Sequence, residues 1–184
     1  GKLSDLYGRK GMFMASIVLF VIGSALAGTS GSMTELISYR AVQGLGAGGL
    51  MVGAMAIMAE MVSPRDRGKM QGMFAAVMPV AMVGGPLLGG FITDYLDWRW
   101  TFYVNLPLGI LALLVVGATL NLPKRDAGKA VIDYWGAGLL TLGISSLVLF
   151  ATWGGTEYAW GSWQIVGLGA LTVVALAAFV WVEN

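Results

Sequence analysis

Six stretches of this chain are long, apolar and almost free of charge, and that pattern decides its solvent. They run over about residues 11–30, 36–62, 70–92, 101–121, 135–153 and 162–182. A helix needs roughly 20 mostly apolar residues to cross the hydrocarbon core of a bilayer. A membrane β-barrel would need strands of about 10 residues that alternate apolar and polar. These runs are too long and too uniformly apolar for that. The chain is 57% hydrophobic and 11% charged, with mean hydropathy +0.77. A soluble domain carries about 25% charged residues. A water-soluble protein could not hide so much apolar surface. The sequence therefore predicts an all-α polytopic membrane protein with six transmembrane helices.

Lys and Arg orient the spans. Lys2, Arg9 and Lys10 precede the first run. Arg65, Arg67 and Lys69 lie between the second and third, and Lys124, Arg125 and Lys129 between the fourth and fifth. These alternate connections share one side, which the positive-inside rule makes cytoplasmic. The other connections hold Arg99 as their only cation, which leaves Arg40 inside a span. Residues 1–10 then form a cytoplasmic connection, and the first run points outward. No secretory leader is expected, because Gly1 is not a start and no cleavage site follows a short apolar stretch. An earlier span is expected to precede this one, so the chain reads as a piece of a larger polytopic protein.

Several function classes are excluded. The 184 residues contain neither Cys nor His, so disulfides, thiolate chemistry and the usual zinc or haem ligand sets are out. No paired acids stand at a plausible catalytic site, and no phosphate-binding loop is present. "GLGAGG" looks like a nucleotide loop, but no strand precedes it and it lies within a membrane span. An enzyme is not expected. The net charge of +1 carries no message about nucleic acid, and none is expected as a partner.

Arg40 is the first candidate residue. A charge within a span costs several kcal/mol and usually faces the bundle interior or a water-filled cavity. It also lies near enough to the outer end to snorkel. "RAVQGLGAGG" adds Gln43 one turn on, and Gly44 and Gly48 at a spacing of four, which Gly49 and Gly53 repeat. Such spacing lets helix backbones approach closely. The third run carries Ala81, Gly85 and Gly89 on one face, with Gly90 beside them and Pro86 in mid-span. Proline removes a backbone hydrogen bond and tends to kink a helix. A glycine seam around it is either a static kinked contact or a pivot between moving parts.

In the opening "GKLSDLYGRK", Gly1 and Gly8 allow a tight connection. Arg9 and Lys10 can pair with Asp5, with helix ends or with lipid headgroups, or serve only as a positive anchor. Trp98, Trp100 and Tyr103 suit the membrane interface, and Asn105 could hydrogen-bond across helices. Glu60 and Asp133 sit near cytoplasmic helix ends, which makes neither a strong midplane proton site.

Together these motifs resemble the major facilitator superfamily over nearly the whole chain. Gly1, Asp5, Gly8, Arg9 and Lys10 match its cytoplasmic G-x-x-x-D-x-x-G-R-K/R motif, with Leu6 where many members have a basic residue. Arg40, Gln43, Gly44, Gly46 and Ala47 match R-x-x-Q-G-x-G-A. Gly85, Pro86, Gly89 and Gly90 match the antiporter motif G-x-x-x-G-P-x-x-G-G, with Ala81 in place of its leading glycine. "WRWTFYVNLPLG" and "DYWGAGLLTLGISSLVLF" resemble the fourteen-helix drug:proton antiporters.

The resemblance implies a partial major-facilitator fold. Residues 1–121 would supply family helices three to six of the N-terminal bundle. Residues 122–184 would supply two inserted helices leading to a C-terminal half. It implies a multi-pass protein of the cell (plasma or inner) membrane that exports drugs or other hydrophobic or cationic molecules in exchange for protons. The proton gradient would be the energy source, with no cofactor and no metal. Asp5 and Arg9 would belong to a cytoplasmic latch, Arg40 and Gln43 to proton coupling, and the antiporter motif to an interface that limits leak. The partners would be a small-molecule substrate, protons, the lipid bilayer, and the remaining N-terminal helices and C-terminal half of the same protein. Export of one specific metabolite, siderophore or antibiotic, or a non-transporting truncated product, are the alternatives.

Overall fold

The structure, a computed structural model, describes residues 8–120 and 133–183. Among them the architecture is helical throughout. Helix α1 spans Arg9–Thr29, α2 Met33–Met61 and α3 Arg67–Tyr95. The short α4, Trp100–Tyr103, leads into α5, Asn105–Thr119. Helices α6, Tyr134–Trp153, and α7, Trp163–Glu183, complete the order. Counting α4 and α5 as one span, six helices are long and apolar enough to cross a membrane. All six coincide with the apolar runs to within a few residues. Large apolar side chains such as Leu19, Leu45, Val80, Leu114 and Val173 stay exposed, as lipid-facing residues must.

Local chemistry sets the ends. Gly8 precedes α1 with φ at 84°, a backbone conformation that disfavours any side chain. Ser32 caps α2 by accepting from the Glu35 amide at 3.2 Å, while the Glu35 carboxylate accepts from the Gly31 amide at 2.8 Å. That is close to a capping box, "SMTE", with the return bond made one residue before the cap. Asp133 caps α6 through the Gly136 amide at 2.9 Å. The fourth span differs from the expected unbroken helix: Val104 interrupts it. Pro107 is the physical reason, since it has no amide to donate back to Tyr103. Pro79 and Pro86, in contrast, lie inside an α3 that runs without interruption.

The residues fall into two compact units, Gly1–Ala130 and Val131–Asn184. In the first, α1 is central and packs against α2, α4 and α5. Its seam with α2 is antiparallel and glycine-made. A Cβ at Gly53 would meet the Phe13 ring, one at Gly49 the Ser16 side chain, and one at Gly46 the backbone of Phe20. A Cβ at Gly23 would stand 2.5 Å from the Gln43 amide nitrogen. The two backbones touch, which no larger residue at 23 or 46 permits. On the other flank of α1, Gly109 receives Val21 and Gly28 receives the Tyr103 ring.

Of the two expected glycine pairs on α2, Gly49 and Gly53 meet α1, and Gly44 and Gly48 do not. Neither has a heavy atom within 4 Å of its would-be Cβ among the described residues. The helix turns Gly46, Gly49 and Gly53 toward α1, and Gly44 and Gly48 away from it.

In the second unit, α6 and α7 form a hairpin. Gly143 receives Leu176, and the buried Ser146 and Thr172 hydroxyls lie 3.0 Å apart. The connecting turn is compact. Gly155, at φ 75°, donates to the Tyr158 carbonyl at 2.8 Å, and the Trp160 ring stacks edge-on against Phe150.

The seam register is checkable because the chain has no native cysteine. A Cβ at Gly49 would lie 2.9 Å from the Ser16 Cβ, so a small shift reaches the roughly 3.8 Å of a disulfide. The pair Ser16→Cys with Gly49→Cys should lose its maleimide-reactive thiols on mild oxidation. The pair Ser16→Cys with Gly48→Cys should keep them.

Candidate functional site: an arginine-led polar network and a helix-end clamp

The close approach of α1 and α2 brings polar groups together inside an apolar bundle. Gln43 is 3% exposed and Ser24 is fully buried, side by side across the seam. The Arg40 guanidinium donates to Gln43 Oε1 at 2.7 Å. Gln43 Nε2 donates to Ser24 Oγ at 2.9 Å. Asn105 Nδ2 donates to the same hydroxyl at 3.0 Å, and Ser24 Oγ donates to the Phe102 carbonyl at 2.9 Å. The network joins α1, α2 and the broken span, and Asn105 does bond across helices. No buried side-chain polar atom among the described residues lacks a partner.

Arg40 itself is exposed at the rim, with its guanidinium carbon 5.8 Å from the centre of the Phe102 ring. Gln43, one turn on, takes the buried position that the sequence pattern suggests for the pair. No carboxylate pairs with Arg40 among the described residues, where the ion pairs are Arg9 with Glu60 and Asp97 with Arg99. Seven positions beyond the start of α2, Arg40 lies about 10 Å along that helix. On the orientation expected from the distribution of cations, that is the outer part of the span.

The opposite ends of the helices carry a second cluster. Arg9 donates to Glu60 Oε2 at 3.0 Å and to the Ala56 carbonyl at 3.3 Å, which ties the start of α1 to the end of α2. Both side chains of this ion pair are about four-fifths buried. Lys10 donates to the Gly117 carbonyl at 2.8 Å, in the last turn of α5, where the helix dipole favours a cation. Gly8 supplies the bend before them. Gly1 and Asp5 lie outside the described residues.

The glycine–proline face of α3 stands apart from both clusters. Helix α3 packs on α4, and none of its residues is buried. A Cβ at Gly85, Gly89 or Gly90 would meet nothing within 4 Å, and Ala81 and Pro86 are exposed. The Thr93 hydroxyl bonds back to the Gly89 and Gly90 carbonyls at 3.0 and 2.9 Å.

Two participants carry only weak marks in the sequence. Ser24 is one of four hydroxyl residues in its apolar run, with Ser16, Thr29 and Ser30, and its one signal is the glycine beside it. Glu60 shows itself as the acid at the helix end facing a basic motif. Among the described residues no group of His, Cys, Asp and Glu side chains is arranged to hold a metal ion.

Six helices long and apolar enough to cross a bilayer, with buried polar side chains paired across inter-helix seams, define a multi-pass membrane protein. The chain belongs to the Major Facilitator Superfamily, whose sequence model matches residues 1–132. It is 50% identical over all 184 residues to an uncharacterized MFS-type transporter of Mycobacterium tuberculosis, of which it covers 27%. It is 43% identical to multidrug resistance protein 3 of Bacillus subtilis, covering 36% of that protein. It is 40% identical to a multidrug transporter protein of the same organism, covering 34%. The chain thus spans about a quarter to a third of the length of these relatives. The family match ends just before α6 begins.

The clamp makes a stability prediction. Removing one charge from a largely buried, hydrogen-bonded pair should cost about 2 kcal/mol. Glu60→Gln should lower the unfolding midpoint of the purified protein. The exchange of Arg9→Glu with Glu60→Arg should recover part of the loss, which an unrelated surface charge would not.

Proposed function

We infer that this chain is part of a proton-coupled exporter of drugs or other hydrophobic or cationic small molecules. The observation that carries the reading is the Arg40 network. A permanently charged guanidinium is held on one side by neutral, buried partners, and its remaining donors face away from them. A carboxylate brought to that side would have its pKa lowered by Coulombic attraction, so it would release its proton more readily. Such an acid, alternately exposed to the two faces, is what exchange of a proton for a substrate needs. The names of the Bacillus relatives support the substrate class.

The other two motifs fit supporting roles. Arg9 and Lys10 gather the cytoplasmic ends of α1, α2 and α5, and with Asp5 they make a latch that favours one state of an alternating-access cycle. The Ala81, Gly85 and Gly89 face of α3, with Pro86 and Gly90, presents small residues suited to tight contact with another helix. Gly44 and Gly48 present a second such face on α2. Both faces suit docking to helices of the longer protein.

The reading is tested in the full-length gene product. Arg40→Ala should reduce drug-dependent proton release in everted vesicles by more than about a hundredfold while leaving membrane abundance largely intact. Normal proton release from that variant would remove Arg40 from coupling. Asp5→Asn should slow turnover more than it weakens drug binding. Unchanged turnover with lost binding would contradict the latch.

A further inference from the structure

The Ser24 hydroxyl is the branch point of the network. It has one proton and two lone pairs. The Phe102 carbonyl, 2.9 Å away, can only accept, so the proton goes there. The lone pairs then accept from Gln43 Nε2 at 2.9 Å and Asn105 Nδ2 at 3.0 Å. At 0% exposure no water competes, and the hydroxyl is saturated.

This fixes the Gln43 amide. Turned end for end, it would set its oxygen against a hydroxyl with no proton left to give. Its Nε2 must face Ser24, and its Oε1 must face Arg40, which can only donate. The chain of donors therefore runs one way, from Arg40 through Gln43 and Ser24 to the Phe102 carbonyl. An obligate donor stands at one end and an obligate acceptor at the other.

We propose that Ser24 is a positioning residue for Arg40, acting through the orientation of the Gln43 amide. The proposal rests on the reading of Arg40 as the coupling residue. Without the Ser24 hydroxyl the Gln43 Nε2 loses its buried acceptor, and the amide swings to find another, which carries Oε1 away from the guanidinium. Arg40 then loses the 2.7 Å acceptor that fixes it beneath the Phe102 ring. A residue that only filled space would behave differently: alanine removes one oxygen from a tight site and should be nearly harmless.

The test is a mutant cycle in everted vesicles containing the full-length gene product, normalised to membrane abundance. Ser24→Ala should cut drug-dependent proton release about tenfold, with the drug KM shifted less than about twofold. In an Arg40→Lys background, which keeps the charge but not the guanidinium fork, the same change should cost less than about twofold. Wild-type release from Ser24→Ala overturns the proposal. So does an equal loss in both backgrounds, because Ser24 would then act without Arg40.

If Arg40→Ala leaves proton release intact, the coupling reading fails on its own. The positioning contact is then judged by thermal unfolding of purified protein. Ser24→Ala and Gln43→Ala should each lower Tm by about 2–6 °C, and the double variant by no more than the larger single shift. Additive shifts overturn the contact. Should Ser24→Ala not accumulate, Ser24→Cys, with its weaker donor and acceptor, carries the same expectations.

Discussion

The contact between the α1 and α2 backbones at Gly23 and Gly46 governs the geometry of the polar network. In a bilayer, apolar surface gives helices little reason to associate, because lipid is as apolar as leucine. Close backbone approach and inter-helix hydrogen bonds must do the work. Here the two coincide. The glycine that admits the Gln43 backbone is the neighbour of the serine that receives the Gln43 side chain. A methyl group at Gly23 would separate the helices and the hydrogen-bonded pair together. The packing and the polar chemistry of the site are one feature seen at two scales.

The same economy explains the fourth span. Pro107 breaks the helix one turn in, and the break falls where α5 meets the network. Phe102 contributes its carbonyl to Ser24 and its ring to Arg40, and Asn105, just past Val104, reaches the same hydroxyl. Tyr103 fills the space left by Gly28. An irregular backbone is tolerated at this depth because protein groups take up its polar atoms. The opposite helix ends show the complementary solution, with Arg9 and Lys10 donating to the carbonyls and the carboxylate found there.

The six spans are legible in the sequence because length and hydropathy alone decide them, and neither depends on tertiary contacts. Asn105 is legible because an amide in an apolar helix needs a partner. The choice of glycine seam is not legible. Helix α2 carries Gly44, Gly46, Gly48, Gly49 and Gly53, which cover several faces at once, so spacing cannot say which face meets α1. The exposure of Arg40 is hidden for a similar reason, since it depends on which neighbours surround the outer end of α2. Ser24 is missed because serine is common in membrane helices and usually bonds to its own backbone. Its importance comes only from the three groups that the fold gathers around it.

The α6–α7 hairpin spends its buried hydroxyls within itself. Ser146 and Thr172 bond to each other and to their own helices, and the turn between the helices is closed by its own amides and tryptophans. Among the described residues, the hairpin's buried hydroxyls find their partners within the pair itself. With these bonds made within and between its own two helices, the hairpin can enter the bilayer as one unit, its buried hydroxyls already partnered.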